Sequence, residues 1–199
     1  MNITTKQIAD FRAKTGIAMM DCKNALIEAN GNEERAIEIL RVKGIAKAEK
    51  RANRSTKAGV IGSYVHNGDK IAVLVEVLSE TDFVAKNDEF KSFVHDVAMH
   101  IAAMNPKYVS KNDIPQEEIE KEKRVLKEEL AASGKPKPEN IMEKIITGKM
   151  EKYFSEICLL NQVFVKDSDI TIGELLNRTI MKIGENIVIS KFVRMEVGS

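Results

Sequence analysis

No apolar run in this sequence approaches the ~20 residues that span a bilayer. The most prominent one, Ile71 to Val75, stops at Glu76. Lys6, Asp10, Arg12 and Lys14 stand where a secretion signal needs an apolar stretch, so export is not expected and the chain reads as cytoplasmic. Charge of one sign is missing too. Lys and Arg number 31 against 30 Asp and Glu, a net charge of +1, whereas a general nucleic-acid binder usually carries a clear basic excess. The 2 cysteines, Cys22 and Cys158, are far apart and form no Cys-x-x-Cys pair, which fits a reducing compartment rather than a disulfide scaffold. The 3 histidines are His66, His95 and His100. His95 and His100 fall on different faces of a helix and have no cysteine nearby, so no metal site is expected. There is no phosphate-binding loop and no dinucleotide fingerprint, hence no nucleotide cradle and no expected cofactor. No local Ser/His/Asp or Cys/His motif stands out. What is present, 43% hydrophobic and 31% charged residues over 199 positions, suits one compact domain or a main domain with a small satellite.

Residues 1–53 read as a small helical unit. Thr4 and Gln7 make a capping box, Ile8 and Phe11 supply an apolar side, and Thr15-Gly16 breaks the first helix. A second helix is expected from Met19 to Ala29, ended by Asn30-Gly31, and a third follows Asn32 as its cap, with Ile37 and Leu40 inward. This is a three-helix bundle of the ubiquitin-associated type. The stretch Arg41 to Lys57 is basic, with Glu49 its single acid. It reads as a solvated helix end and a mobile linker. A patch for RNA or an acidic protein face is the alternative, but no aromatic is present to stack on a base.

Residues 54–199 read as an α+β body with a small antiparallel sheet. Val60 to His66 and Lys70 to Leu78 are β-rich and joined by Asn67-Gly68, a hairpin signal. Asn87 caps a helix carrying Phe90, Val94, Val97 and Ile101, and Pro106 ends it. Glu117 to Leu130 is a charged helix with six acids and four bases, read as a solvent face or an arm. Residues 133–138 form a stiff turn, and a helix runs from Glu139 to about Phe154. Thr171 and Glu174 make a second capping box, and Asn186 to Val197 is the last strand.

Between the second strand and the Asn87 cap lies Thr81-Asp82-Phe83-Val84-Ala85-Lys86-Asn87. Phe83 is either packed under the helix start or exposed as an aromatic anchor with a charge beside it. The residues alone leave both readings open. Thr15-Gly-Ile-Ala-Met-Met-Asp-Cys-Lys23 with Ala25-Leu-Ile-Glu-Ala29 resembles the N-terminal signature of bacterial elongation factors Ts, and Thr81 to Asn87 resembles their core signature. Gly62 to His66, His100-Ile-Ala-Ala, Ser133 to Pro136 and Phe192 to Gly198 match the same pattern in order. Ile17 stands where many members have alanine. Long members carry two core subdomains, whereas this chain has room for one, and their coiled-coil insertion is expected to be absent.

The resemblance implies guanine-nucleotide exchange on elongation factor Tu, engaged both with GDP and without nucleotide, and no covalent chemistry. Arg12, Met19, Met20 and Lys23 match docking contacts. Thr81, Asp82, Phe83 and Val84 match the element that intrudes near the partner's magnesium ion, and His66 matches a contact of the core. The short form resembles members that act as homodimers, in which Cys158 is a candidate to approach its mate. Two rival readings follow from the residues. One is a ubiquitin-associated-like adaptor for RNA or chaperones acting through the basic stretch. The other is a hydrolase using His66 or His95 with a carboxylate.

Overall fold

A computed structural model describes residues 3–132 and 138–198. The expected stiff turn at 133–138 lies, except for Pro138, outside the described residues. The first three helices are α1 (Thr5–Thr15), α2 (Met19–Glu28) and α3 (Glu33–Arg51). Each boundary has a local cause. The Thr4 hydroxyl accepts from Gln7 N at 3.3 Å while Gln7 Oε1 accepts from Thr4 N at 2.9 Å. Gly16, at φ 69°, ends α1, and Asn32 Oδ1 caps α3 through Arg35 N at 2.8 Å. Phe11, Cys22, Leu26, Ala36 and Leu40 fill the bundle core.

The linker reading of the basic stretch is corrected. α3 runs on to Arg51, because no proline interrupts it and its lysines find partners. Lys43 pairs with Glu28 and Lys47 with Asp21, both at 2.6 Å, so the helix is fastened to α2. Gly44 lets the next layer approach: a Cβ there would sit 3.4 Å from Met181 Sδ. Only residues 52–57 connect bundle to body.

The body holds β1 (Ala58–Val65), β2 (Ile71–Ser79), α4 (Asp82–Ala85), α5 (Asp88–Met104), α6 (Gln116–Ala132), α7 (Glu139–Ile157), β3 (Val163–Phe164), β4 (Asp167–Thr171), α8 (Ile172–Ile183) and β5 (Ile187–Glu196). This is an α+β fold. β1, β2 and β5 form an antiparallel sheet in the order β1-β2-β5, with Ala58 opposite Ser79 and Val65 opposite Ala72. The positive φ angles of the hairpin turn fall on Gly68 and Asp69, one residue later than Asn67-Gly68 predicts. Helix α5 buries Phe90, Val94, Val97 and Ile101 as expected. It lies so close to β1 that a Cβ at Gly62 would stand 2.3 Å from Val94 Cγ1. Helix α8 joins the two cores: Ile172 and Ile180 pack in the body, while Met181 completes the bundle.

The charged helix belongs to an arm, one of the two readings expected for it. α6 and α7 pair as a two-helix arm. Glu118 accepts from Tyr153 Oη at 2.8 Å and Glu129 from Lys149 at 2.8 Å, so the helices run antiparallel. Ile119, Leu126 and Leu130 are the only apolar residues that the mainly charged α6 turns inward, whereas α7 buries Met150 and Ile157 and half-buries Met142, Ile145, Ile146, Tyr153 and Phe154. The short β3–β4 pair has no sequence signal of its own. Cys158 is fully buried, so it does not reach the surface where a second copy's Cys158 could meet it.

His100 is fully buried, bonded through Nε2 to Gln162 Oε1 at 3.0 Å, while its Nδ1 accepts from Val165 N at 3.4 Å. Burial holds its imidazole below the ordinary 6.5, against a smaller opposing effect of the Gln162 bond. The unfolded chain therefore takes up this proton first as pH falls, and the stability contributed by neutral His100 is lost below the ordinary value. We predict a falling melting temperature between about pH 7.5 and about pH 5.5, and a smaller fall in His100→Gln. Equal pH dependence of the two proteins would contradict this.

Candidate functional site

The loop after β2 is clamped from behind. Thr81 donates twice to the Glu185 carboxylate, from its backbone N at 3.0 Å and its hydroxyl at 2.7 Å. Ser79 Oγ donates to Thr81 O at 3.0 Å, and Glu80 accepts from Asn186 N at 2.6 Å. The turn entering β5 thus fixes where α4 starts. Within α4, Val84 and Ala85 are buried, with Val84 part of the body core. Phe83 points the other way and is 86% exposed. Asp82 is exposed beside it. Of the four residues expected on the partner surface, only Asp82 and Phe83 are therefore presented. Val84 is the anchor that holds them out, and half-buried Thr81 is the clamp.

A fully exposed phenylalanine forgoes roughly 1.5–3 kcal/mol of burial free energy. Next to a charge, on a rigid mount, it has the form of an interface anchor.

The bundle offers a second surface. Arg12 is exposed on α1, and Met19, Met20 and Lys23 are exposed on α2. The core of α2 is made by Cys22, Ala25 and Leu26, which turns Met20 outward at 62% exposure. Ile27 belongs to this face and was missed by sequence reasoning. It lies seven residues after Met20 and four after Lys23, a spacing that reveals the stripe once the core side is known.

His66 lies elsewhere. It sits past the end of β1, exposed, with Nδ1 3.1 Å from Tyr64 Oη. β1, 8 residues from Ala58 to Val65 and so about 23 Å long, starts opposite Ser79 just before the Phe83 loop, and His66 lies past its other end. Neither His66 nor His95 has a carboxylate partner among the described residues, so the hydrolase reading finds no relay. The described residues contain no His/Cys/Asp/Glu group able to hold a metal ion. In the basic stretch, Arg41 pairs with Glu174, Lys43 with Glu28, Lys47 with Asp21 and Arg54 with Glu80.

One face of the sheet is open. Inward, β2 buries Val73, Val75 and Val77 beneath α5. Outward, Ile61, Val65, Leu74, Val193 and Met195 are each more than half exposed on three adjacent strands. Among the described residues no helix is long and apolar enough to cross a membrane.

A family model described as Elongation factor TS matches residues 5–199. The chain belongs to the elongation factor Ts family. Among its curated relatives, the elongation factor Ts of Alkaliphilus metalliredigens is 56% identical over 100% of this chain and 91% of its own length. That of Carboxydothermus hydrogenoformans is 54% identical over 98% of the chain and 89% of its own length. The elongation factor Ts of Fervidobacterium nodosum is 52% identical with both chains covered in full, 100% each. The elongation factor Ts match thus takes in the α2 face, the Phe83 loop and the open sheet alike.

Proposed function

We propose that this chain is a cytoplasmic guanine-nucleotide exchange factor for elongation factor Tu in translation elongation. The observation that carries the reading is Phe83, 86% exposed on a loop held from behind by Glu185, in a member of the elongation factor Ts family. Residues 1–53 are the docking domain, gripping the GTPase through Arg12, Met19, Met20 and Lys23, with Ile27 extending the face. Residues 54–199 are the core and dimerisation domain. Asp82 and Phe83 intrude near the partner's magnesium and phosphate site, and His66 makes a separate contact at the far end of the hairpin.

The mechanism is physical rather than covalent. Magnesium bridges the nucleotide phosphates to a GTPase and neutralises their charge. An aromatic wedge that displaces the surrounding loop weakens the metal's hold, and GDP leaves. Nothing in this step needs an acid, a base, a nucleophile or a cofactor. Linkage requires reciprocity: whatever factor this protein loosens GDP by, GDP loosens this protein by the same factor. Each tenfold corresponds to about 1.4 kcal/mol of differential contact.

A complex with nucleotide-free elongation factor Tu should therefore elute as one species in gel filtration and separate when GDP is added. Failure to co-elute, or a complex indifferent to GDP, contradicts the reading.

The protein acts as a homodimer through the open sheet face. The support is the row of outward aliphatics on β1, β2 and β5, since exposed apolar patches of this kind on soluble proteins mark association surfaces.

A further inference from the structure

Where the bundle meets the body, a cleft of about 370 Å³ opens between α3 on one side and β4 and α8 on the other. Small-molecule sites begin at about 300 Å³, so the cleft has room for a small ligand, whereas a helix with its side chains is ~10–12 Å across. Its surface is mainly apolar. Ile37, Leu40 and Ile45 come from α3, Ile170 from β4 and Leu175 from α8. Ile37 and Ile45 are exposed although they lie on the side of α3 that faces the body, at 47% and 38%.

The charges around this apolar surface are unequal. Lys14, Arg41, Arg178 and Lys182 line the cleft against only Asp167 and Glu174. Lys14 pairs with Glu33 and Lys182 with Glu89, and both carboxylates belong to residues outside the lining. All four of those side chains are at least one-third exposed, and such pairs exchange readily for a better acceptor. Arg178 is half-buried and has no ion-pair partner among the described residues. Its planar fork suits a carboxylate or a phosphate.

We propose that this cleft binds a small amphipathic anion. Its apolar body lies against the α3 isoleucines and Leu175, and its anionic head is held by Arg178 with Lys14 or Lys182 closing over it. Because α3 and α8 carry the two sides, the ligand ties the bundle to the body and stabilises their joint.

Sodium decanoate is a suitable probe, titrated into the full-length protein with amide chemical shifts as the readout. The expected result is one saturable site with shifts on α3 and α8, and a melting temperature that rises with decanoate concentration. Arg178→Ala should weaken binding about tenfold or more, the loss expected for one hydrogen bond to a charged group. Ile45→Trp should abolish binding by filling the cleft. Ile45 is exposed, so this variant should melt like the parent, which keeps the test meaningful should Arg178→Ala prove unstable. Absence of saturation at millimolar decanoate overturns the proposal. So do shifts confined to the open sheet face around Leu74 and Val193, or equal affinity in the parent and Ile45→Trp. The titration uses no GTPase, so its failure leaves the exchange reading untouched.

Discussion

Phe83→Ala is expected to slow protein-stimulated GDP release tenfold or more while leaving the melting temperature of the free protein unchanged. Truncating a central aromatic anchor typically costs about 2–4 kcal/mol of interface free energy, and each ~1.4 kcal/mol is a factor of ten. The fold has no stake in the side chain, because Phe83 is 86% exposed and the helix it sits on is held by Val84 and Thr81 instead. A surface substitution of this kind usually stays within about 0.5 kcal/mol. Val84→Ala should do the reverse, lowering stability with exchange per folded molecule preserved. Asp82→Ala should leave the melting temperature unchanged and act on exchange more than on affinity, since its exposed carboxylate gives up little hydration until it approaches the metal site. If Phe83→Ala melts well below the parent yet exchanges normally per folded molecule, the wedge assignment is wrong.

Leu74→Lys is expected to convert a dimer into a monomer. Leu74 is 53% exposed at the middle of β2, opposite Ser63 on β1 and Val193 on β5. In a two-fold interface the substitution enters twice. Each lysine then enters a mainly apolar face whose Glu76 is already paired with Lys191 at 3.8 Å, and a buried unpaired ammonium costs several kcal/mol. Dimer affinity should fall at least about a thousandfold. Multi-angle light scattering at matched concentrations should give a dimer mass for the parent and a monomer mass for the variant, both with the same far-ultraviolet spectrum. A parent that remains monomeric at high concentration contradicts the sheet-face interface. Asp82 borders the same shallow depression as Ile61 and Leu78, so the wedge stands at the margin of the face being tested.

Legibility in the sequence tracked how local the cause was. The Thr4–Gln7, Asn32, Asn87 and Thr171–Glu174 caps are contacts within three residues, and all four helix starts follow from them. The Phe90-Val94-Val97-Ile101 stripe gave the main core helix for the same reason. The far end of α3 was misread because its continuation depends on Asp21, Glu28 and Met181, partners from other elements that no window of basic residues displays. The arm was hidden because α6 has one buried residue, Leu126, beneath a charged surface, and its apolar partner α7 lies on the far side of residues 133–138. Alternation identified β5, but not which side faced out: Val193 and Met195 are on the open face, while Ile187 and Ile189 are inside, across the irregularity opposite Glu76 and Val77. For the site, Asp82-Phe83 was legible only as a pair of open readings. What separates them is the Glu185 clamp, 104 residues away in sequence, which no local pattern encodes.

The most direct test of the central claim is the release of fluorescent GDP from elongation factor Tu, followed by stopped flow with excess unlabelled GDP. The release rate should rise with the concentration of this protein and saturate, with the Phe83→Ala protein falling well short of the parent. A release rate that stays at its unstimulated value across the whole concentration range would contradict it.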